Sequence, residues 1–138
     1  MKIKCGTDII EISRIKDSIQ KLGDTFINKI FTNDEVAYCE AKGKQKYQHY
    51  AARFAAKEAA FKAISGNLDS KYDLDWKDYE VICDFQGRPS ISIKNINMEN
   101  IENIDISLSH CKEYAIAMVT ILYKSWNEIS SYIIFLSR

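Results

Sequence analysis

Apolar and polar positions alternate at the start of the chain, where Ile3 and Cys5 are interleaved with lysines, and this period of two predicts a strand over residues 3–7. The period then lengthens. Ile12, Ile15, Ile19 and Leu22 recur at helical spacing, and Gly23 closes the segment. Thr32 followed three residues later by Glu35 has capping-box spacing, which predicts a helix over residues 33–42 that stops at Gly43. The longest helix is predicted over residues 47–64, an alanine-rich stretch ending at Ser65-Gly66-Asn67. Beyond it the period of two returns. Residues 79–85 turn at Gln86-Gly87-Arg88-Pro89 into 90–94, and residues 104–109 turn at 110–113 into 114–122. Helices first and hairpins last predict an α+β fold, with an antiparallel sheet packed on the long central helix.

A length of 138 residues fits one globular domain, and 19 basic against 19 acidic side chains argue against a globally basic nucleic-acid binder. The first residues lack an apolar signal core, and the longest uncharged apolar run, 132–136, is too short to span a bilayer. A soluble, cytoplasmic protein with no membrane partner is expected. The neutral total conceals a basic stretch, in which Lys42, Lys44, Lys46, Arg53, Lys57 and Lys62 face only Glu58. Because it overlaps the most apolar helix, some of these charges are expected near the core and aimed at an anionic ligand. Cys5, Cys39, Cys83 and Cys111 are widely spaced without a C-x-x-C pair, and only His49 and His110 are available to join them. They read as reduced thiols serving as small core residues rather than as a zinc site.

At about 100° per residue, Ala51, Phe54, Ala55, Phe61, Lys62 and Ser65 lie within ~60° of Glu58, which puts a carboxylate on an apolar helix face. Lys62, one turn on, is its simplest partner, and such pairs decorate many ordinary helices. Asp8 adds a second carboxylate at the end of the first strand, between Gly6 and the apolar Ile9-Ile10. Two carboxylates brought together repel unless a proton or a metal lies between them, and paired oxygen ligands with positions left for phosphate suit Mg²⁺. Lys62 would then stabilise phosphate charge. In the strand over 104–109, Ile104, Ile106 and Leu108 share one face, Ser107 and Ser109 the other, and His110 opens the turn.

Gly6-Thr7-Asp8-Ile9-Ile10-Glu11-Ile12-Ser13-Arg14-Ile15, Phe31-Thr32 with Glu35 and Tyr38, and Arg53-Phe54-Ala55-Ala56-Lys57-Glu58-Ala59-Ala60-Phe61-Lys62-Ala63 follow one another in a distinctive order. With Gly87-Arg88-Pro89 and Ser107-Leu108-Ser109-His110, the chain resembles the holo-acyl-carrier-protein synthases over residues 3–122. The resemblance implies a 4′-phosphopantetheinyl transferase of fatty acid biosynthesis, which moves the arm of coenzyme A onto a serine of apo acyl carrier protein and releases adenosine 3′,5′-bisphosphate. It implies Mg²⁺ held by Asp8 and Glu58 on the pyrophosphate, with Lys62 neutralising charge there. Coenzyme A contacts are implied at Arg53, Lys62, Ser65, Gly66, Arg88, Pro89, Ser109 and His110, with Arg53 and His110 at the nucleotide end and its 3′-phosphate. Arg14 would face the acidic carrier protein. The family's homotrimers imply active sites at subunit interfaces, and the serine proton would pass to Glu58 or to a water beside the metal.

The family pattern Gly-Thr-Gly is replaced here by Ile64-Ser65-Gly66-Asn67, which keeps one glycine for close approach to the ligand. Residues 1–123 are expected to form the transferase domain and 124–138 an extension, in which Trp126, Ile129, Tyr132 and Ile133 suit a helix while 132–136 equally suits a strand. Two alternatives stand beside the enzyme: a catalytically silent trimer that binds coenzyme A or a carrier protein, and a transferase dedicated to peptide or polyketide carrier domains. The long helix, apolar almost all round, is expected to need a second surface beyond one thin sheet, with a subunit interface or the tail supplying it.

Overall fold

The structure, a computed structural model, describes residues 1–70 and 73–125. The chain opens with strand β1 (Lys2–Glu11), followed by helices α1 (Ile12–Leu22), α2 (Asp24–Ile30), α3 (Asn33–Glu40) and the 19-residue α4 (Lys46–Ile64). Strands β2 (Tyr79–Cys83) and β3 (Pro89–Ile93) form a hairpin. Strands β4 (Ile101–His110) and β5 (Tyr114–Tyr123) join β1 in a three-stranded antiparallel sheet of order β1-β5-β4. The expected α+β architecture is therefore present, its strands divided between two sheets. The tail readings at Trp126, Ile129, Tyr132 and Ile133 lie outside the described residues.

Helix α4 lies across the three-stranded sheet because both meet through small side chains. Ala55, Ala56, Ala59, Ala60 and Ala63 are fully buried, and so are Ala115, Ala117, Val119 and Ile121 of β5. Gly6 makes the approach of β1 possible: a Cβ built there would collide with the Ala59 carbonyl oxygen and lie 2.8 Å from the Ala63 nitrogen. This is the close-approach role of a glycine inside a strand. On its other side α4 is covered by the same chain. Ile12, Ile15, Ile19, Ile27, Ile30 and Phe31 pack around Tyr50, Ala51 and Ala52, while Leu74, Tyr79, Val81 and Ile93 join the core of its C-terminal half. The second surface expected for α4 is thus present, but elements of the same chain supply it, where a subunit interface or the tail was expected to. Among the described residues, an uncovered apolar surface lies on the opposite face of the sheet, where Ile3, Ile9, Ile116 and Met118 are exposed.

Several boundaries differ from the periodicity. Strand β1 runs through Asp8 to Glu11, because β5 pairs with it from Lys2↔Tyr123 to Glu11↔Tyr114. Asp8 is consequently a mid-strand residue. Helix α2 had no clear pattern to announce it, being only seven residues long. Helix α3 stops at Glu40, before the expected 42. His110 ends β4, still paired with Ala115, rather than opening the turn. All four cysteines are free thiols, but Cys5 and Cys111 are exposed, so only Cys39 is a fully buried core residue as expected.

Two buried charges tie the layers together. The Lys57 ammonium donates to Glu35 Oε1 at 2.6 Å, to the Ile30 carbonyl at 2.7 Å and to the Trp76 carbonyl at 3.1 Å. Glu35 also closes the capping box at the Thr32 nitrogen and accepts from the Val81 nitrogen at 3.1 Å. Both side chains are fully buried. Lys57 is therefore held near the core as expected of the basic stretch, yet it serves an internal carboxylate instead of a ligand. Glu35→Leu would strand the ammonium and the Val81 amide in the core. It is expected to cost about 3–5 kcal/mol in urea unfolding, with Lys57→Met in the same chain recovering part of the loss. A single variant as stable as the wild type would show that the pair carries no structural burden.

Candidate active site

Asp8, Glu58 and Lys62 converge at the β1 edge of the sheet. The alternation of β1 turns Gly6, Asp8 and Ile10 toward α4, while Thr7 and Ile9 face outward. Lys62 reaches across to donate to the Thr7 carbonyl at 2.9 Å and to Asp8 Oδ1 at 3.2 Å. Its salt bridge is thus with Asp8, not with Glu58 one turn away, because the sheet brings Asp8 within reach of the exposed ammonium.

Glu58 is half-buried, between Phe54 and Phe61, which are themselves only partly covered. The apolar face expected around it is the open side of α4, and the alanine face is the one sealed against the sheet. Burial, then the negative charge of Asp8, holds the Glu58 carboxyl above its ordinary value, and Lys62 opposes the shift. A cleft of about 540 Å³ adjoins this carboxylate, lined by Phe61, Leu74, Trp76 and Tyr79 with Lys29 and Asp75. Phe54 stacks on Trp76 with ring centroids 5.0 Å apart.

The two carboxylates fit a hard divalent cation: Glu58 feels the negative charge of Asp8, both are reachable, and an ammonium stands beside them. Among the described residues no group of three or more His, Cys, Asp or Glu is arranged to hold a metal. The pair therefore suits an ion that completes its shell with water and phosphate oxygens, as Mg²⁺ does.

A second group of functional candidates lies elsewhere. At about 100° per residue Arg53 is ~180° from Lys62 around α4 and ~140° from Glu58. Arg53 is 2% exposed, with its guanidinium carbon 4.1 Å from the centre of the Tyr38 ring. It does not present its charge to solvent in the single chain. His110, at the end of β4, is exposed and its ring lies 6.1 Å from that of His49. Asp8 and His110 sit on the two outer strands with β5 between them, so two strand spacings, about 10 Å, separate the edges. Ser109 is exposed beside His110.

Ser65 and Gly66 follow α4 in a single 3₁₀ turn, exposed, with the Ser65 hydroxyl donating to the Lys62 carbonyl at 3.1 Å. Arg88 lies in the β2–β3 turn, its amide held by Asp84 Oδ1 at 2.9 Å, and Pro89 begins β3. Arg14 is exposed on α1. Residues that the sequence reading passed over are Gly6 as a contact point, Glu35 as the partner of Lys57, and His49. The first had a legible signal, a glycine inside an alternating strand.

Residues 4–119 match the model of the 4′-phosphopantetheinyl transferase superfamily. The chain is 40% identical over 126 residues to the holo-acyl-carrier-protein synthase of Ruminiclostridium cellulolyticum, covering 88% of this chain and 92% of that protein. It is 43% identical over 115 residues to the synthase of Chlamydia muridarum, covering 82% and 89%. Among solved structures, the Bacillus anthracis synthase in complex with CoA (3′,5′-ADP) superposes with a TM-score of 0.69 at 34% identity, covering 88% of this chain and 96% of that one. The Helicobacter pylori synthase in complex with coenzyme A gives a TM-score of 0.74 at 28% identity, covering 86% and 99%. The chain belongs to the 4′-phosphopantetheinyl transferase superfamily and, within it, to the holo-acyl-carrier-protein synthases.

Proposed function

We propose that the Asp8, Glu58 and Lys62 cluster is the catalytic centre of this chain's reaction, the transfer of 4′-phosphopantetheine from coenzyme A to a serine of apo acyl carrier protein in fatty acid biosynthesis. The observation that carries the site assignment is their convergence from β1 and α4, with Lys62 on Asp8 and Glu58 feeling the charge of both. Mg²⁺ held by Asp8 and Glu58 would neutralise the pyrophosphate of coenzyme A and polarise the phosphorus under attack. Lys62 has room to pivot from Thr7 and Asp8 toward a phosphate oxygen, being half exposed, and supplies a compact positive charge where negative charge accumulates. Exposed Ser65 and Gly66 lie three and four residues after Lys62 and stand ready to meet the same ligand. Arg14, on the outer face of α1, is assigned to the carrier protein.

His110, Ser109 and Arg53 are assigned to the nucleotide end of coenzyme A, with Arg88 and Pro89 beside them on the β2–β3 hairpin. Arg53 acts there through its field, being buried beneath Tyr38 and His49. Because the two halves occupy opposite edges of one sheet, each active site is read as pairing the Asp8 edge of one subunit with the His110 edge of another. The apolar outer face of the sheet supports a homotrimer that buries it: Ile3 and Ile9 are each more than 60% exposed, and Met118 is 51% exposed.

Mixing inactive Asp8→Ala and His110→Ala subunits under exchange conditions is expected to restore a fraction of the activity, since some interfaces then combine two intact halves. The product is read by mass spectrometry as phosphopantetheine added to one serine of the carrier protein. An active monomer by light scattering would overturn both the trimer and the shared site. A trimer without rescue would overturn the sharing alone.

A further inference from the structure

Three cationic or ionisable basic groups surround one aromatic ring, and a fourth stands against one of the three. The Arg53 guanidinium carbon is 4.1 Å and the Lys42 ammonium 4.6 Å from the Tyr38 centroid. The His49 ring meets the same ring edge-on at 5.6 Å, and the His110 ring lies 6.1 Å beyond it. The members come from four separate places in the chain: α3, the turn after it, α4 and the end of β4. Among the described residues the salt bridges are Lys46 with Glu40, Lys57 with Glu35 and Lys62 with Asp8, so none serves this cluster. Arg53 is the extreme case. One of its nitrogens donates to the His49 carbonyl at 3.5 Å, another to Cys83 Sγ at 3.6 Å, and its buried Nε has no partner. A buried guanidinium that meets no carboxylate leaves a concentrated positive field.

We propose that this cluster is a proton-linked seat for a phosphate dianion, in which His49, with Lys42 and His110, engages the anion and takes up a proton as it binds. The inference rests on the assignment of His110 to the nucleotide end of coenzyme A, so the anion is its 3′-phosphate. The groups facing His49 are Tyr38 from α3, Lys42 from the following turn, Arg53 from its own helix and His110 from β4. Burial and then the charges of Arg53, Lys42 and His110 hold its imidazole below the ordinary histidine value, which keeps it neutral in the free chain near pH 7. A phosphate monoester with a second pKa of about 6 is largely dianionic there, and its arrival reverses the sign of the local field. The bound state therefore favours imidazolium, and binding strengthens as pH falls from 8.5 toward 6.5.

The test compares coenzyme A with dephospho-coenzyme A, which carries a 3′-hydroxyl and shares every other contact. Between pH 6.5 and 8.5 the wild-type preference for coenzyme A, read as the ratio of the two KM values, is expected to fall about tenfold. Titration calorimetry with adenosine 3′,5′-bisphosphate in buffers of different ionisation enthalpy is expected to show proton uptake near pH 7.5. In His49→Gln, which keeps a hydrogen-bonding side chain but cannot titrate, the ratio is expected to be flat and the uptake lost. A wild-type preference independent of pH, or the same slope in His49→Gln, would refute the proton linkage while leaving the nucleotide-end assignment intact. A wild type that does not distinguish the two substrates at any pH would refute that assignment and the linkage with it.

Discussion

Glu58→Gln is expected to lower turnover by at least about 100-fold while leaving the protein as stable as the wild type or more so at pH 8. The substitution keeps size and shape and removes only the charge. On the proposed assignment, activity falls because one of two oxygen ligands loses its negative charge, and an amide is a poor substitute toward a hard cation. Stability moves the other way, because burial and Asp8 raise the folded-state pKa of Glu58 above its unfolded value. Its contribution to stability is therefore fully present below the unfolded value, about 4.3, and is lost as pH rises through the folded value. Above that, the ionised carboxylate is a burden on the fold that glutamine removes. Melting temperatures at pH 4 and pH 8 read the sign: the variant should gain on the wild type as pH rises. A variant that retained wild-type turnover at saturating Mg²⁺ would remove Glu58 from the site, and one that melted lower at pH 8 would show the charge to be stabilising.

Gly6→Ala is expected to damage both fold and activity, out of proportion to one methyl group. The added Cβ would overlap the Ala59 carbonyl, lie 2.8 Å from the Ala63 nitrogen and 3.0 Å from Lys62 Cβ. The first two are backbone atoms on a helix packed by fully buried alanines, so relief requires β1 and α4 to separate. Overpacking of this kind costs about 1–3 kcal/mol or more. The same separation moves Lys62 away from Thr7 and Asp8, contacts now 2.9 and 3.2 Å long. A displacement of about 1 Å in a positioned site costs on the order of 100-fold in rate. Gly66→Ala provides the contrast in stability, since a Cβ there meets only the Lys4 ammonium at 3.6 Å, an ordinary contact. Equal melting temperatures for Gly6→Ala and Gly66→Ala would mean that the β1–α4 approach is not tight.

The local elements were legible because their causes are local. The isoleucines of α1 repeat with the helix, Thr32 and Glu35 close their capping box within four residues, and the alanines of α4 favour helix wherever they are placed. The Gly6–Asp8 and Arg53–Lys62 blocks likewise carried the resemblance that identified the family and named the catalytic candidates. Pairings between distant segments were not legible, since a carboxylate and an ammonium close in sequence are always the simplest match. Helical spacing alone pairs Lys62 with Glu58, yet the fold brings Asp8 to it across the β1–α4 contact. Lys57, adjacent to Glu58, turns inward to Glu35 because α4 shows that side to the core. The length of β1 and the exposure of Cys5 depend on which strand lies alongside and which face is left open. Sequence determined most of the elements, the family and the candidate reactive residues through short-range periodicity and side-chain chemistry. Only tertiary structure decided which charges are buried, which edge of the sheet carries each group of candidate residues, and which face of the sheet is left open, because those depend on contacts between residues tens of positions apart.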